Sequence, residues 1–156
     1  MGLDTVGGLP VHALVVHAAV VLLPLTALGA ILIALKPAWS RRFGIIVVLV
    51  GFVAVGATVI AKESGERLAA HVGLPQTHAQ LGDRLPLVAA VLFVLVLILW
   101  LKDRGIPGNR RRPAWVSVLA IIVIIASCIT VWWTFRVGDS GARAVWEPIL
   151  QRANVS

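Results

Sequence analysis

The sequence has few charged residues and almost no cysteine. Only 13% of its 156 residues are Asp, Glu, Lys or Arg, whereas 59% are hydrophobic. A soluble domain of this size would need far more polar surface, so the composition predicts a membrane protein. Cys128 is the single cysteine, which excludes an internal disulfide and a thiolate metal cluster. Because it lies in an apolar run, we expect it in the core.

Acidic residues are scarcer than basic ones, with 7 against 14 and a net charge of +7. Such a balance can indicate a nucleic-acid partner. Here, however, Arg110, Arg111 and Arg112 lie between two apolar stretches, where membrane proteins carry topology signals and lipid-headgroup contacts. No soluble domain remains to present a nucleic-acid surface. The charge pattern therefore excludes that partner and favours the lipid bilayer.

Four apolar stretches predict transmembrane helices at about 11–35, 43–61, 85–101 and 114–135. Each is long enough for a hydrocarbon core of about 30 Å, which needs roughly 20 residues in a helix. No Lys or Arg precedes the first stretch, so we expect a retained span and not a cleaved signal peptide. The prediction is an all-α fold, a four-transmembrane-helix bundle that forms a single integral membrane domain over residues 1–156.

Basic residues predict the orientation of these helices. The short connections after the first and third stretches are dense in Lys and Arg, whereas six of the seven acids lie on the other side. By the positive-inside rule we place these connections in the cytoplasm and both termini on the extracytoplasmic side. Two tryptophan belts agree with the span ends, namely Trp39, Trp100 and Trp115 on one side and Trp132, Trp133 and Trp146 on the other.

Scarce polar residues recur in register between the two halves of the chain. Glu63-Ser64-Gly65-Glu66-Arg67 matches Asp139-Ser140-Gly141-Ala142-Arg143 in the order of acid, serine, glycine and arginine. In the same way His12 corresponds to His78, and His17 corresponds to Asp83 with the same separation along the chain. The pattern predicts two tandem helical hairpins related by a pseudo-twofold axis along the membrane normal. The alternative is chance matching in a low-complexity apolar sequence.

The predicted topology collects all four histidines at the extracytoplasmic side with most of the acids. Histidine beside carboxylate is common metal-ligand chemistry. We therefore predict that five side chains converge in one pocket at the outer membrane boundary, with His71 peripheral. They are His12, His17, His78, Glu63 and Asp139. For b-type haem, the repeat-related His12 and His78 are the natural axial pair, whereas copper or zinc would use the larger set.

A structural interpretation of the same residues stays open. His12 and His17 differ by five positions, or about 140° around a helix, so they do not share a face. In this alternative the polar residues form a hydrogen-bonded cap. His12 and His78 would then bond Asp139 and Glu63 or backbone groups, while the two Ser-Gly pairs would form helix C-terminal turns.

Three segments of the chain resemble a known family. Leu9-Pro10-Val11-His12-Ala13-Leu14-Val15-Val16-His17, followed by Leu22-Leu23-Pro24, resembles the opening of the bacterial DUF2231 family. Glu63-Ser64-Gly65-Glu66 with His78-Ala79 resembles its middle, and Gly138-Asp139-Ser140-Gly141 with Val145-Trp146 its final motif. The resemblance implies a four-helix protein of the bacterial cell membrane. Some relatives are fused to Rieske-type iron–sulfur domains, which implies a link to electron transfer.

Two functions follow as hypotheses. One is electron transfer or metal handling with haem b, copper or zinc, together with a redox partner or larger membrane complex. The other is a non-catalytic scaffold or accessory subunit whose polar cluster is structural. Transport ranks last, because the predicted interior offers only hydroxyl groups at mid-depth (Thr26, Thr58, Ser117, Ser127 and Thr130). We find no nucleophile–base pair and no phosphate loop, which argues against an enzyme.

Overall fold

The protein is built from four long helices. The computed structural model describes residues 5–6, 9–72 and 76–153. Helix α1 spans Val11–Leu35, α2 Pro37–Val72, α3 Gln76–Arg104 and α4 Ala114–Ala153, and the short strands β1 (Thr5–Val6) and β2 (Leu9–Pro10) pair antiparallel before α1. Each helix is long and apolar enough to cross a membrane. The predicted all-α, four-transmembrane-helix fold class is confirmed.

The helices run further than the predicted spans. Helix α1 has the predicted bounds, but α2 continues beyond residue 61, α3 begins before residue 85, and α4 continues beyond residue 135. The additional turns are polar, so hydropathy does not mark them. One consequence is that Ser64-Gly65 and Ser140-Gly141 lie inside α2 and α4. The prediction that these pairs form helix C-terminal turns was wrong.

The helices form a closed bundle. Each packs against its neighbour along the chain, α1 also packs against α4, and α1 touches α3 across the diagonal. Short connections make successive helices alternate in direction. One end of the bundle, here the histidine end, therefore holds His12, Ser64, His78 and Ser140. The opposite end, here the basic end, holds the connections at residues 36–42 and 102–115.

Small side chains fill the interior and large apolar ones cover the outside. Ala27, Ala30 and Ala54 are fully buried, which lets the helices approach closely, as is common in membrane bundles. Among the large side chains exposed on the outside are Phe52 and Phe135, as expected for contact with lipid. Cys128 is also exposed, so its predicted place in the core was wrong.

A tryptophan of α4 bonds the backbone of α3 in the turn before a proline. Pro86 has no backbone N–H and therefore weakens the hydrogen-bond ladder of the preceding turn. The indole Nε1 of Trp133 on α4 donates to the carbonyl of Leu81 in that turn, at 3.0 Å. This contact joins α3 to α4 near the histidine end.

Candidate ligand site at the histidine end

His12 joins α1 to α2 through one ring nitrogen. Its Nδ1 lies 3.0 Å from the carbonyl oxygen of Ala61 and 3.3 Å from Oγ of Ser64. The hydroxyl of Ser64 donates to the carbonyl of Ile60 at 2.7 Å. Since that hydroxyl hydrogen is already used, Oγ accepts from the ring. Both partners are therefore acceptors, and Nδ1 of His12 carries the proton.

His78 makes the matching contacts in the second hairpin. Its Nδ1 lies 3.0 Å from Oγ of Ser140 on α4, and the ring also hydrogen-bonds the backbone of Val137. The hydroxyl of Ser140 donates to the Val137 carbonyl at 2.8 Å, so it too accepts from the ring. Nδ1 of His78 is therefore the protonated nitrogen.

A glycine makes room for each imidazole. A Cβ placed on Gly65 would lie 2.9 Å from Cε1 of His12, and one on Gly141 would lie 3.0 Å from Cε1 of His78. Any larger residue would force the ring to move. Each Ser-Gly pair thus has two functions in the packing. The serine fixes one ring nitrogen, and the glycine lets the ring lie against the helix.

These contacts leave the other ring nitrogen available. With the proton on Nδ1, a neutral imidazole has a lone pair on Nε2. The contacts of His12 with Ala61 and Ser64, and that of His78 with Ser140, all use Nδ1. Histidines that bind metals commonly donate the opposite N–H to a carbonyl, which orients the ring. The pair therefore has the local geometry of ligands held ready by their surroundings.

The other predicted site residues do not join this pair. His17 is exposed, and its Nδ1 bonds the carbonyl of Ala13 in its own helix. Glu63 is exposed, and Asp139 accepts from Nε of Arg143 at 3.0 Å. Within residues 9–72 and 76–153, no three His, Cys, Asp or Glu side chains come close enough to hold a metal ion. The side chain of His71 lies outside the described part.

The histidines have one of the two kinds of hydrogen-bond partner expected in the structural interpretation. In the structural interpretation, Asp139 and Glu63 bond the two rings, but in the described chain neither acid does so. Backbone carbonyls, the other expected partners, are present at Ala61 and Val137. Two other acids pair with Lys62, which lies 3.7 Å from Glu66 in its own helix and 3.6 Å from Asp83 of α3. The pair with Asp83 joins α2 to α3.

The sequence analysis missed a buried ion pair at the basic end. Asp103 is 0% exposed and the Arg112 side chain 7%. Arg112 donates to both carboxylate oxygens of Asp103, and it also bonds the carbonyls of Ile33 and Ala34 at the end of α1. Arg112 is thus not a lipid-headgroup residue. The available signal was that Asp103 is the one acid in the basic connections.

One known family matches nearly the whole chain. A family model described as "Predicted membrane protein (DUF2231)" matches residues 8–153. The chain belongs to the DUF2231 family. The match includes both hairpins and therefore both tethered histidines. No curated protein and no solved structure matches the chain. This DUF2231 protein is thus a membrane protein with four apolar helices.

Proposed function

We propose that this DUF2231 protein is a multi-pass membrane protein that binds b-type haem through Nε2 of His12 and His78 and takes part in electron transfer. The observation that carries the proposal is that both imidazole rings are held by a serine of the next helix. His12 is held through Nδ1 by Ser64 and the Ala61 carbonyl, and His78 is held through Nδ1 by Ser140. A ring that donates from Nδ1 offers Nε2, the usual ligand atom, to a metal.

The number of available ligands favours haem over a bare metal ion. A zinc site takes three or four protein ligands, and the described residues contain no group of three. A haem iron receives four nitrogens from the porphyrin and needs only axial ligands from the protein. A pair of histidines is therefore sufficient for haem and insufficient for zinc. His17, Glu63 and Asp139 are not needed in this site.

The tandem repeat predicted from the sequence would pair His12 with His78, and the pattern of buried residues is consistent with it. Buried positions recur in the same register as the polar motifs. In α1 and α3, with the separation that relates His12 to His78, they are Ala19 and Leu85, Leu23 and Ala89, Thr26 and Leu92, Ala30 and Val96, and Ile33 and Leu99. In α2 and α4, with the separation that relates Ser64 to Ser140, they are Ser40 and Val116, Ala54 and Thr130, Thr58 and Thr134, and Ala61 and Val137.

The histidine contacts follow the same register. His12 and His78 occupy corresponding positions of α1 and α3, while Ser64 and Ser140 occupy corresponding positions of α2 and α4. The two hairpins thus share several buried positions, and each holds a histidine through a serine of the next helix. In a pseudo-twofold arrangement the two rings occupy equivalent positions on either side of the axis. A ligand near that axis would receive one ring from each hairpin.

A second candidate function follows from the contacts that the rings of His12 and His78 make within the protein. Each ring already bonds the next helix and packs against its glycine. In this alternative the rings only clamp α1 to α2 and α3 to α4. The protein would then be a scaffold or accessory subunit without a bound cofactor.

An absorption spectrum of the detergent-purified protein separates the two functions. We expect a Soret band, either as isolated or after addition of hemin, with the low-spin spectrum of two histidine ligands. His12→Ala and His78→Ala should each abolish that spectrum while the protein still inserts in the membrane. His17→Ala is the matched control, because this exposed histidine lies on the same end and bonds its own helix. A protein that binds no hemin, but melts at lower temperature in both variants, would support the structural function.

A further inference from the structure

The basic end carries a strong positive charge without an exposed acid. Its one acidic residue, Asp103, is buried and neutralised by Arg112. Seven basic side chains remain, six of them exposed and one half-buried. We call them the basic patch: Lys36, Arg41, Arg42, Lys102, Arg104, Arg110 and Arg111. The ion pair thus removes the only negative charge that would offset the patch.

The two connections of the basic end meet, so these charges share one surface. Nη2 of Arg41 lies 4.0 Å from the position of a Cβ on Gly108, which links the start of α2 to the α3–α4 connection. Trp100 of α3 lies so close to Gly44 of α2 that a Cβ there would clash with the indole ring. The guanidinium of Arg104 lies over the same tryptophan ring, 4.8 Å from the Trp100 ring centroid.

Aromatic rings hold several of these cations at a defined depth. Lys36 lies 4.4 Å from the ring centroid of Trp39, and Lys102 lies 5.5 Å from that of Trp115. Tryptophan prefers the headgroup level of a bilayer, and long basic side chains extend their charges toward the same level. The cations are therefore placed where lipid phosphates lie. Because the aromatic rings already restrict these basic side chains, the side chains lose less conformational freedom when they bind a phosphate.

We propose that the basic patch binds the headgroups of anionic phospholipids in preference to zwitterionic ones. The chemistry is that of arginine and lysine with phosphate, in which the planar guanidinium can make two parallel hydrogen bonds. Nucleic acid offers the same phosphates, but the patch lies at the border of a lipid-exposed apolar surface and beside tryptophans. Lipid phosphates are therefore the partner that this position fits. The proposal does not depend on haem binding.

Native mass spectrometry of the detergent-purified protein tests this proposal. The protein is titrated with phosphatidylglycerol and with phosphatidylcholine of the same acyl chains. The patch variant is Arg110→Gln with Arg111→Gln, whose side chains are exposed and absent from the buried ion pair. The matched control is Arg84→Gln with Arg136→Gln, which removes the same charge from exposed positions of the histidine end.

We expect the wild type to prefer phosphatidylglycerol. The patch variant should lose affinity for phosphatidylglycerol by about thirtyfold, which is the contribution of two interfacial charges, whereas the control should stay within about twofold. Equal affinity of the wild type for both lipids would overturn the proposal. Equal losses in the two variants would also overturn it, because the preference would then depend only on net charge. Displacement of phosphatidylglycerol by an equimolar oligonucleotide would assign the patch to nucleic acid instead.

Discussion

The carboxylate of Asp103 and the guanidinium of Arg112 form two parallel hydrogen bonds, and both groups are buried at the basic end. Nε lies 2.8 Å from Oδ1, and Nη2 lies 2.6 Å from Oδ2. Arg112 also donates to the carbonyls of Ile33 and Ala34 in the last turn of α1. The last carbonyls of a helix lack partners in the helix and form the negative end of its dipole. One arginine thus joins α1, α3 and the α3–α4 connection.

Replacement of Arg112 by glutamine should destabilise the bundle strongly. It leaves the Asp103 carboxylate buried without its partner, and breaking one side of a buried ion pair costs about 3–5 kcal/mol. The measurement is the free energy of unfolding in a detergent titration. Arg111→Gln is the control, because Arg111 is exposed and adjacent, and it should leave the transition unchanged. Equal behaviour of the two variants would show that the ion pair contributes little to stability.

The spans could be predicted from the sequence because a bilayer demands long apolar helices. The continuations of α2 and α4 could not, because turns beyond the membrane can be polar and carry no hydropathy signal. Residues 63–67 and 139–143 lie in such turns. Their periodicity is helical, but the Ser-Gly pairs also suit a helix end. Only the packing of His12 and His78 against these segments explains why the helices continue there.

The candidate site could be predicted in part. The repeated motifs relate His12 to His78, and the structure gives the two rings matching contacts. Of the two kinds of partner expected for the rings, backbone carbonyls are present, whereas the acids are absent for a geometric reason. Glu63 and Ser64 are adjacent in a helix, so their side chains point about 100° apart and only one of them faces α1. For the Asp103–Arg112 pair, the sequence marks Asp103 as the one acid in the basic connections, but it does not show which of the nearby arginines is its partner.

Replacement of Gly141 by alanine should displace the ring of His78. The added methyl group would lie 3.0 Å from Cε1, and overpacking of this kind costs about 1–3 kcal/mol. Gly138→Ala is the control on the same helix, because a Cβ there meets nothing within 4 Å. It should be neutral or stabilising, since alanine is the better helix former. The measurement is the free energy of unfolding of each variant.

A double-mutant cycle identifies the ring as the cause. In a His78→Ala background the cost of Gly141→Ala should disappear, because the clashing atoms are absent. The same result is expected for Gly65→Ala with His12→Ala in the first hairpin. Costs that stay unchanged in the alanine backgrounds would contradict the close approach of ring and glycine.

The repeat predicts that Glu63 and Asp139 lie at equal depth. In the pseudo-twofold arrangement His12 superposes on His78, His17 on Asp83 and Glu63 on Asp139. Spin labels attached to Glu63→Cys and Asp139→Cys, both in a Cys128→Ala background, report depth through collision with oxygen and with a nickel complex. We expect the two depths to agree within about one helical turn, or about 5 Å. A larger difference would exclude the repeat.

The final prediction concerns the side of the membrane on which each end lies. The density of Lys and Arg in the connections predicts a cytoplasmic basic end and an extracytoplasmic histidine end. Asn109→Cys, in a Cys128→Ala background, places a thiol in the exposed α3–α4 connection, whereas Ser40 is unsuitable because its side chain is 0% exposed. Gln80→Cys is the matched position, exposed at the histidine end. In intact cells an impermeant maleimide should label Gln80→Cys and not Asn109→Cys, and permeabilised cells should show both. The reverse pattern would place the histidines in the cytoplasm and the basic patch outside.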